Sequence, residues 1–159
     1  KSRRWLRLPK LELSSHILQQ LSRVMPGVVS GLHRHEWVKH GSCYSNKNAN
    51  HYFGDSVELM HALNASWVST LFQTHLGERL TTTAIRNAFD TSFGRGAGER
   101  VRVKCRRVGS RKLITELQIA LGGTLGKLRL SDAILRGRKL TSRCHAGIVD
   151  TVGIAPQRQ

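Results

Sequence analysis

The spacing of the apolar residues changes near residue 100, and this change limits the fold more than any other feature of the sequence. Residues 1–13 alternate basic and apolar side chains, which suggests an extended entry segment. From Ser14 to Gly94 the apolar side chains recur every three or four residues, which is typical of amphipathic helices. From Arg100 onward they alternate with charged side chains, as in a strand with one face toward a core. Helices first and strands second favour an α+β fold.

We expect four helices before the change. The third has the longest periodic pattern, which begins at Asn50 and places apolar side chains at Phe53, Val57, Met60, Leu63, Trp67 and Leu71. The Pro26-Gly27 pair ends the first helix. The expected caps of the first, second and fourth helices are, in chain order, Ser14 or Ser15, Ser30, and Thr82 or Thr83.

We expect two strands after the change, joined at Gly109-Ser110 into an antiparallel hairpin. One face of the first strand is basic, because Arg102 and Lys104 lie between Val101, Val103 and Cys105. The pattern around Leu128 and Leu130 suggests a further edge strand. The expected fold is therefore α+β, an antiparallel sheet packed against several helices.

The size and charge of the chain indicate one domain that binds a polyanion. A length of 159 residues with 39% hydrophobic content suits a single domain covering 1–159. The formal net charge is +16, which favours RNA or DNA as a partner through counterion release. Simple solubility and weak binding to an anionic membrane are the alternatives. No apolar run reaches the roughly 20 residues of a membrane span, so we expect no membrane partner.

The three cysteines leave two interpretations open. Cys105 ends the basic strand and Cys144 lies in a late loop, so these two could form a disulfide, with Cys43 outside it. Three reduced thiols in a cytosolic protein is the other interpretation. Since no two cysteines have the close spacing of metal ligands, we expect no metal site.

The segment from His33 to His40 contains three histidines, one glutamate and one lysine. On a helix, Glu36, Lys39 and His40 share one face, because positions three and four apart are neighbours. An imidazole can carry a proton to or from a hydroxyl near neutral pH, and a lysine can stabilise developing phosphate charge. The pattern therefore favours acid-base chemistry on a phosphate ester.

Three other interpretations of this segment are weaker. A zinc-protease helix requires histidines four apart, whereas His35 and His40 are five apart. A cysteine-histidine nucleophile pair that uses Cys43 has no supporting motif. A solvated helix face without function is the default for such a cluster. Trp37 argues against it, because an indole there fixes the orientation of the helix.

The run His35-Glu36-Trp37-Val38-Lys39-His40-Gly41-Ser42-Cys43 closely resembles the second active-site segment of the T-two family of acid endoribonucleases. The resemblance extends from about Leu8 to Ile154 and is closest to the bacterial branch of the family. It also rests on these runs: Val24-Met25-Pro26-Gly27, Tyr52-Phe53-Gly54, Ala88-Phe89-Asp90 and Phe93-Gly94.

This resemblance implies cleavage of single-stranded RNA to 2′,3′-cyclic phosphate ends without a metal or any other cofactor. It implies that His40 is one member of the acid-base pair, that Glu36 and Lys39 assist, and that His35 binds the phosphate. It also implies a disulfide between Cys105 and Cys144 and a periplasmic or secreted protein. The helix of Glu36 is expected to lie across a sheet formed partly by residues 100–130.

The chain departs from the family in one respect: the first active-site segment, a His-Gly-Leu-Trp motif with the second catalytic histidine, does not occur in it. In the family, the cysteine equivalent to Cys43 bonds to one in that N-terminal part. We therefore interpret the chain as the C-terminal two-thirds of such an enzyme. It would be a fragment, one half of a nicked enzyme, or a short form that has lost catalysis. The partners expected besides RNA are the missing segment and an inhibitor protein. A non-catalytic RNA-binding protein on the same fold is the alternative function.

Overall fold

The computed structural model describes residues 2–44, 48–124 and 126–151. They fall into two compact units, which divide between His61 and Ala62. Six α-helices and four strands are present among these residues, and the α+β class is confirmed. In the described residues, no helix combines the length and the apolar character that a membrane span requires.

The first unit is helical. Its α-helices are α1 (Ser15–Val24), α2 (Leu32–His40) and α3 (Ala49–Asn64). The last residues of α3 belong to the second unit. Short 3-10 helices cover Ser2–Arg7, Pro26–Ser30 and Gly41–Cys43.

The expected start of α1 is confirmed, because the Ser14 hydroxyl accepts a hydrogen bond from the Ile17 amide at 3.3 Å. The expected cap of α2 is wrong. Gly31 occupies that position with φ +80°, and the Ser30 hydroxyl instead donates to the Gly27 carbonyl. Glycine adopts a positive φ at little cost, so Gly31 allows the backbone to turn just before α2.

The core of the first unit forms between α1 and α3. Leu21, Phe53 and Val57 are almost fully buried there. Partly buried apolar side chains surround them, including Ile17, Val24, Met25, Trp37 and Tyr52. The helical spacing of apolar residues in the sequence therefore marks the packed faces correctly.

The second unit combines three helices with a sheet. In chain order it contains α4 (Trp67–Thr74), β1 (Arg79–Thr81), α5 (Thr82–Phe93), a 3-10 helix (Ala97–Arg100), β2 (Val101–Val108), β3 (Arg111–Ile119), α6 (Leu130–Leu135) and β4 (Ala146–Val149). The single long helix expected from Asn50 is thus two helices. The break lies at Ser66, which is the N-cap residue of α4, and Trp67 is 55% exposed rather than part of a core.

The four strands form a mixed sheet in the order β1-β4-β3-β2. The expected β2-β3 hairpin is confirmed, and β1 also pairs with β4 in the antiparallel direction. β3 and β4 pair in parallel, which the sequence pattern did not predict. The β2-β3 ladder shifts register between Lys104 and Cys105, as a β-bulge does.

The edge strand expected around Leu128 and Leu130 is wrong. Leu130 begins α6, in which Leu130, Ala133 and Ile134 are buried. Their spacing of three and four residues is that of one helix face. A short apolar run of this length fits either structure, so the pattern alone could not decide.

A disulfide joins Cys105 on β2 to Cys144 in the loop before β4, with their Cα atoms 5.7 Å apart. The same loop is tied to β2 by two further contacts. The Arg102 guanidinium donates to the Thr141 carbonyl at 2.9 Å, and the Val103 amide donates to the Ser142 hydroxyl at 2.9 Å. The loop is therefore held at three positions within four residues of one strand.

Candidate active site

Helix α2 carries the residues that the sequence singled out. Its inward side is anchored by His33, which is 8% exposed, and by Trp37, which packs against the core of the first unit. The side chains of Lys39 and His40 are exposed at its C-terminal end. The helix therefore presents its charged C-terminal residues to solvent because His33 and Trp37 pack on its other side.

The end of α2 depends on a close approach between Trp37 and Gly41. A Cβ atom added at Gly41 would overlap carbons of the Trp37 ring. Gly41 has an ordinary helical φ of −67°, so glycine is required here by space rather than by backbone conformation. The indole in turn lies edge-on to Tyr52 of α3, with ring centroids 5.8 Å apart.

Glu36 and His40 form a pair on the exposed side of α2. Glu36 Oε2 lies 3.7 Å from His40 Nε2, as expected for residues four apart on a helix. The side chain of His40 is 52% exposed and that of Glu36 is 29% exposed. The carboxylate and the imidazole are therefore within ion-pair distance, and His40 is accessible to solvent.

His35 lies on the neighbouring stripe and is oriented by Trp5. The two rings stack with centroids 5.4 Å apart and an interplanar angle of 19°. The next residue on the helix, Arg34, donates from Nη1 to the carbonyls of Leu6 and Leu8, at 2.9 and 3.1 Å. The N-terminal segment is therefore bound to α2 beside His35.

His33 differs from the other histidines of the segment. Burial lowers the pKa of His33, the nearby Arg34 charge lowers it further, and the Val28 carbonyl opposes both effects. Its ring lies edge-on to Phe53, with centroids 6.4 Å apart. His33 is thus a neutral packing residue in the core and is poorly suited to carry a proton for a substrate.

The sequence interpretation missed a group of tyrosines behind the Glu36-His40 pair. Tyr52 lies between Trp37 and Tyr44, and the Tyr44 hydroxyl donates to the Asp55 carboxylate. Burial raises the pKa of Tyr52, and the Glu36 carboxylate adds to this effect. Burial and the Asp55 hydrogen bond also raise the pKa of Tyr44.

The sequence offered one signal for this group: Tyr52 directly precedes the core residue Phe53 on the same helix. The structure therefore brings Glu36, Lys39 and His40 to one end of α2, with His35 beside them and a tyrosine layer beneath. Among the described residues, no group of three His, Cys, Asp or Glu side chains is arranged to hold a metal ion.

Comparisons with known proteins point to one family. A sequence model of the Ribonuclease T2 family matches residues 7–133, which include α2 and the whole Glu36-His40 pair. Ribonuclease I of Escherichia coli (strain K12) is 30% identical over 115 residues, which are 71% of this chain and 42% of that protein. The chain spans less than half the length of this relative. Because the family model matches most of the chain, the chain belongs to the Ribonuclease T2 family.

Proposed function

We propose that this chain carries part of the active site of an endoribonuclease that cleaves single-stranded RNA by transphosphorylation. Its family and its similarity to Ribonuclease I support RNA as the substrate. The single observation that carries the proposal is the Glu36-His40 pair at 3.7 Å, exposed at the end of α2 beside Lys39. This combination supplies a proton carrier, a carboxylate and a fixed positive charge at one place.

In the proposed reaction, the ribose 2′-hydroxyl loses its proton to a base, and its oxygen forms a bond to the adjacent phosphorus. The bond from phosphorus to the 5′-oxygen of the next nucleotide breaks, and that oxygen takes a proton from an acid. The products are a 2′,3′-cyclic phosphate and a free 5′-hydroxyl. Every step is a proton transfer or a displacement at phosphorus, so the proposal includes no cofactor.

Each residue of the site has a proposed role in this reaction. His40 exchanges a proton with the RNA, and Glu36, 3.7 Å away, assists it. Lys39 stabilises the negative charge that develops on the phosphate oxygens in the transition state. His35, held against Trp5, binds the phosphate.

A single imidazole cannot take one proton and give another in the same displacement, so a second proton carrier is part of the proposal. Resemblance to the family assigns it to a His-Gly-Leu-Trp segment. The test is therefore made on the 159-residue chain and on the chain joined to such a segment. His33 is not proposed for this role, because it is buried in the core of the first unit.

The experiment measures cleavage of single-stranded RNA in EDTA, with detection of cyclic phosphate ends. We expect His40→Ala to lower the rate about 100-fold or more, the usual contribution of a positioned acid or base. His61→Ala is the matched control, since His61 is an exposed histidine on α3. RNA with 2′-O-methyl groups should stay intact, because it lacks the attacking hydroxyl. The proposal fails if neither form of the protein yields cyclic phosphate, or if His40→Ala cleaves as fast as His61→Ala.

We also propose that the protein works in an oxidising compartment, the periplasm or the exterior of the cell. The Cys105-Cys144 disulfide supports this location, because such bonds are rare in a reducing cytosol. Cell fractionation combined with trapping of reduced thiols tests the proposal. Recovery of the protein in the cytosol with Cys105 reduced would contradict it.

A further inference from the structure

The β2-β3 hairpin gathers positive charge on one of its faces. Residues that pair directly across two strands project to the same side, and here Arg102 pairs with Gln118 and Lys104 with Glu116. After Lys104 the register shifts, so that Cys105 pairs with Ile114 and Thr115 of β3 is left out of the pairing. The disulfide of Cys105 and two hydrogen bonds from β2 hold the 141–144 loop beside this strand.

A groove of about 470 Å³ lies beside β2 and the 141–144 loop. It is lined by four cationic side chains, Arg102, Lys104, Lys112 and Arg143, together with both cysteines of the disulfide. The shape of the groove is fixed, because the loop that forms one wall is held by the disulfide and by the two hydrogen bonds from β2.

Two further grooves adjoin the first, and each shares one lining residue with it. One, of about 640 Å³, shares Arg102 and adds Arg138 and Gln118. The other, of about 320 Å³, shares Lys112 and adds Arg79, Arg111 and His145. None of the described residues that line the three grooves carries a carboxylate. We call the lysine and arginine side chains that line the three grooves the basic track. They are Arg79, Arg102, Lys104, Arg111, Lys112, Arg138 and Arg143.

Most of this charge is not used to hold the fold together. Within the described part of the chain, Lys104 is the one residue of the basic track with an ion pair, to Glu116 at 3.1 Å. Both side chains of that pair are more than 40% exposed, so it is screened by water and yields readily to a competing anion. The repulsion within such a row of cations is relieved when a polyanion binds.

We infer that the basic track binds the sugar-phosphate backbone of single-stranded RNA, at a site separate from the Glu36-His40 pair in sequence. This inference rests on the proposed function, which makes RNA the polyanion that the protein meets. A flexible single strand can follow a row of three grooves. His145 is the one aromatic ring among the described lining residues, so few bases can stack there. Binding along the track therefore depends on phosphates and is insensitive to base identity.

The test compares two variants of equal charge. The track variant carries Lys104→Gln, Lys112→Gln and Arg143→Gln, and it spares Arg102, which holds the loop. The control variant carries Arg95→Gln, Arg106→Gln and Lys127→Gln, which are exposed positions outside the three grooves. Each variant loses three positive charges from +16, which leaves +13 in both.

The probe is a fluorescent single-stranded 2′-O-methyl oligonucleotide, which binds without being cleaved. We expect the track variant to bind it about tenfold or more weakly, and the slope of log K against log salt to become shallower by about 2, near 0.7 for each lost phosphate contact. The control variant should change affinity less than about threefold. Probes of different base composition should give the same result. Lys112→Glu alone is the second variant, should the triple variant not fold.

Equal losses of affinity in the track and control variants would overturn the inference, because they would reflect net charge alone. A strong preference for one base would also overturn it. Cleavage of a diribonucleotide separates this result from the proposed function, since so short a substrate does not extend along the track. If neither the 159-residue chain nor the chain joined to the His-Gly-Leu-Trp segment cleaves RNA, and the track variant still loses affinity, the proposed function fails and the track stands. If cleavage is normal and both variants bind the probe equally, the track fails and the proposed function stands.

Discussion

Neighbouring residues of α2 face opposite environments, and this contrast explains the composition of the segment. His33 and Trp37 pack inward, while Glu36 and His40 meet at 3.7 Å on the exposed side. Trp37 fixes the helix only because Gly41 leaves room for its ring. The position of His40, the residue before Gly41, therefore depends on the absence of a side chain at the next position.

Gly41→Ala should lower the free energy of unfolding by about 1–3 kcal/mol, the usual cost of overpacking a well-filled site. The added methyl group overlaps the Trp37 ring, so either the ring or the end of α2 must move. Urea denaturation measures the change.

Gly54→Ala is the matched control for this prediction. Its added Cβ would meet Ile17 at an ordinary 3.6 Å inside α3, so the substitution should be neutral or stabilise by up to about 1 kcal/mol. Equal stability of Gly41→Ala and the natural protein would show that Trp37 does not pack against Gly41.

The sequence predicted which residues of the candidate site share a helix face, because Glu36 and His40 are four residues apart and helical spacing is regular. It did not predict the tyrosine layer. The Tyr52 contact with Trp37 and the Tyr44 contact with Asp55 depend on how α3 packs against α2, which no local pattern encodes.

At the scale of elements, the helix starts show how one hydroxyl decides where a helix begins. Thr82 and Thr83 were the expected caps of α5, and both positions were wrong by one or two residues. The Thr81 hydroxyl accepts from the Ala84 amide at 3.1 Å, whereas the buried Thr82 hydroxyl donates to the Cys144 carbonyl. Three consecutive threonines are equivalent in a propensity scale, and only tertiary contacts distinguish them.

Thr81→Ala should therefore lower the free energy of unfolding by about 1 kcal/mol through loss of the cap. Thr83→Ala is the matched control, since Thr83 is exposed in the first turn and should change stability by less than about 0.5 kcal/mol. Thermal or urea unfolding of the two variants measures both values. A larger loss from Thr83→Ala than from Thr81→Ala would contradict the assigned cap.

The strands were predicted where the sequence alternates strongly and missed where it does not. The hairpin of β2 and β3 follows from the alternation around Val101 and Val103 and from the turn at Gly109-Ser110. β4 is only four residues long and includes Gly147, so it carries almost no strand pattern. Its parallel pairing with β3 is a long-range contact, which local sequence does not specify.

At the scale of the whole molecule, the positive charge of the second unit is concentrated around its disulfide. The net charge of +16 predicted a polyanion partner, and the structure places an acid-free row of grooves beside the disulfide. The composition gave the sign and size of the charge. Its arrangement depends on the pairing of the strands and on the loop that the disulfide holds, and neither is visible in the composition.

Replacing Cys105 and Cys144 together by alanine should lower the free energy of unfolding by about 2–4 kcal/mol, because the bond closes a long loop in the unfolded chain. The two cysteines are 39 residues apart. Cys43→Ser is the control, since it leaves this bond in place. Urea denaturation without reductant measures the effect. Equal stability of the double variant and the natural protein would show that the loop is held by its hydrogen bonds alone.

The disulfide on β2 also restricts how this protein can change in length. Because successive residues of a strand alternate between its faces, deletion of one residue between Val101 and Cys105 would turn the sulfur away from Cys144. Substitutions on β2 alter only charge or volume, but a single insertion or deletion exchanges the faces of half the strand. Homologous chains that keep the bond should therefore differ here in residue type and not in residue number.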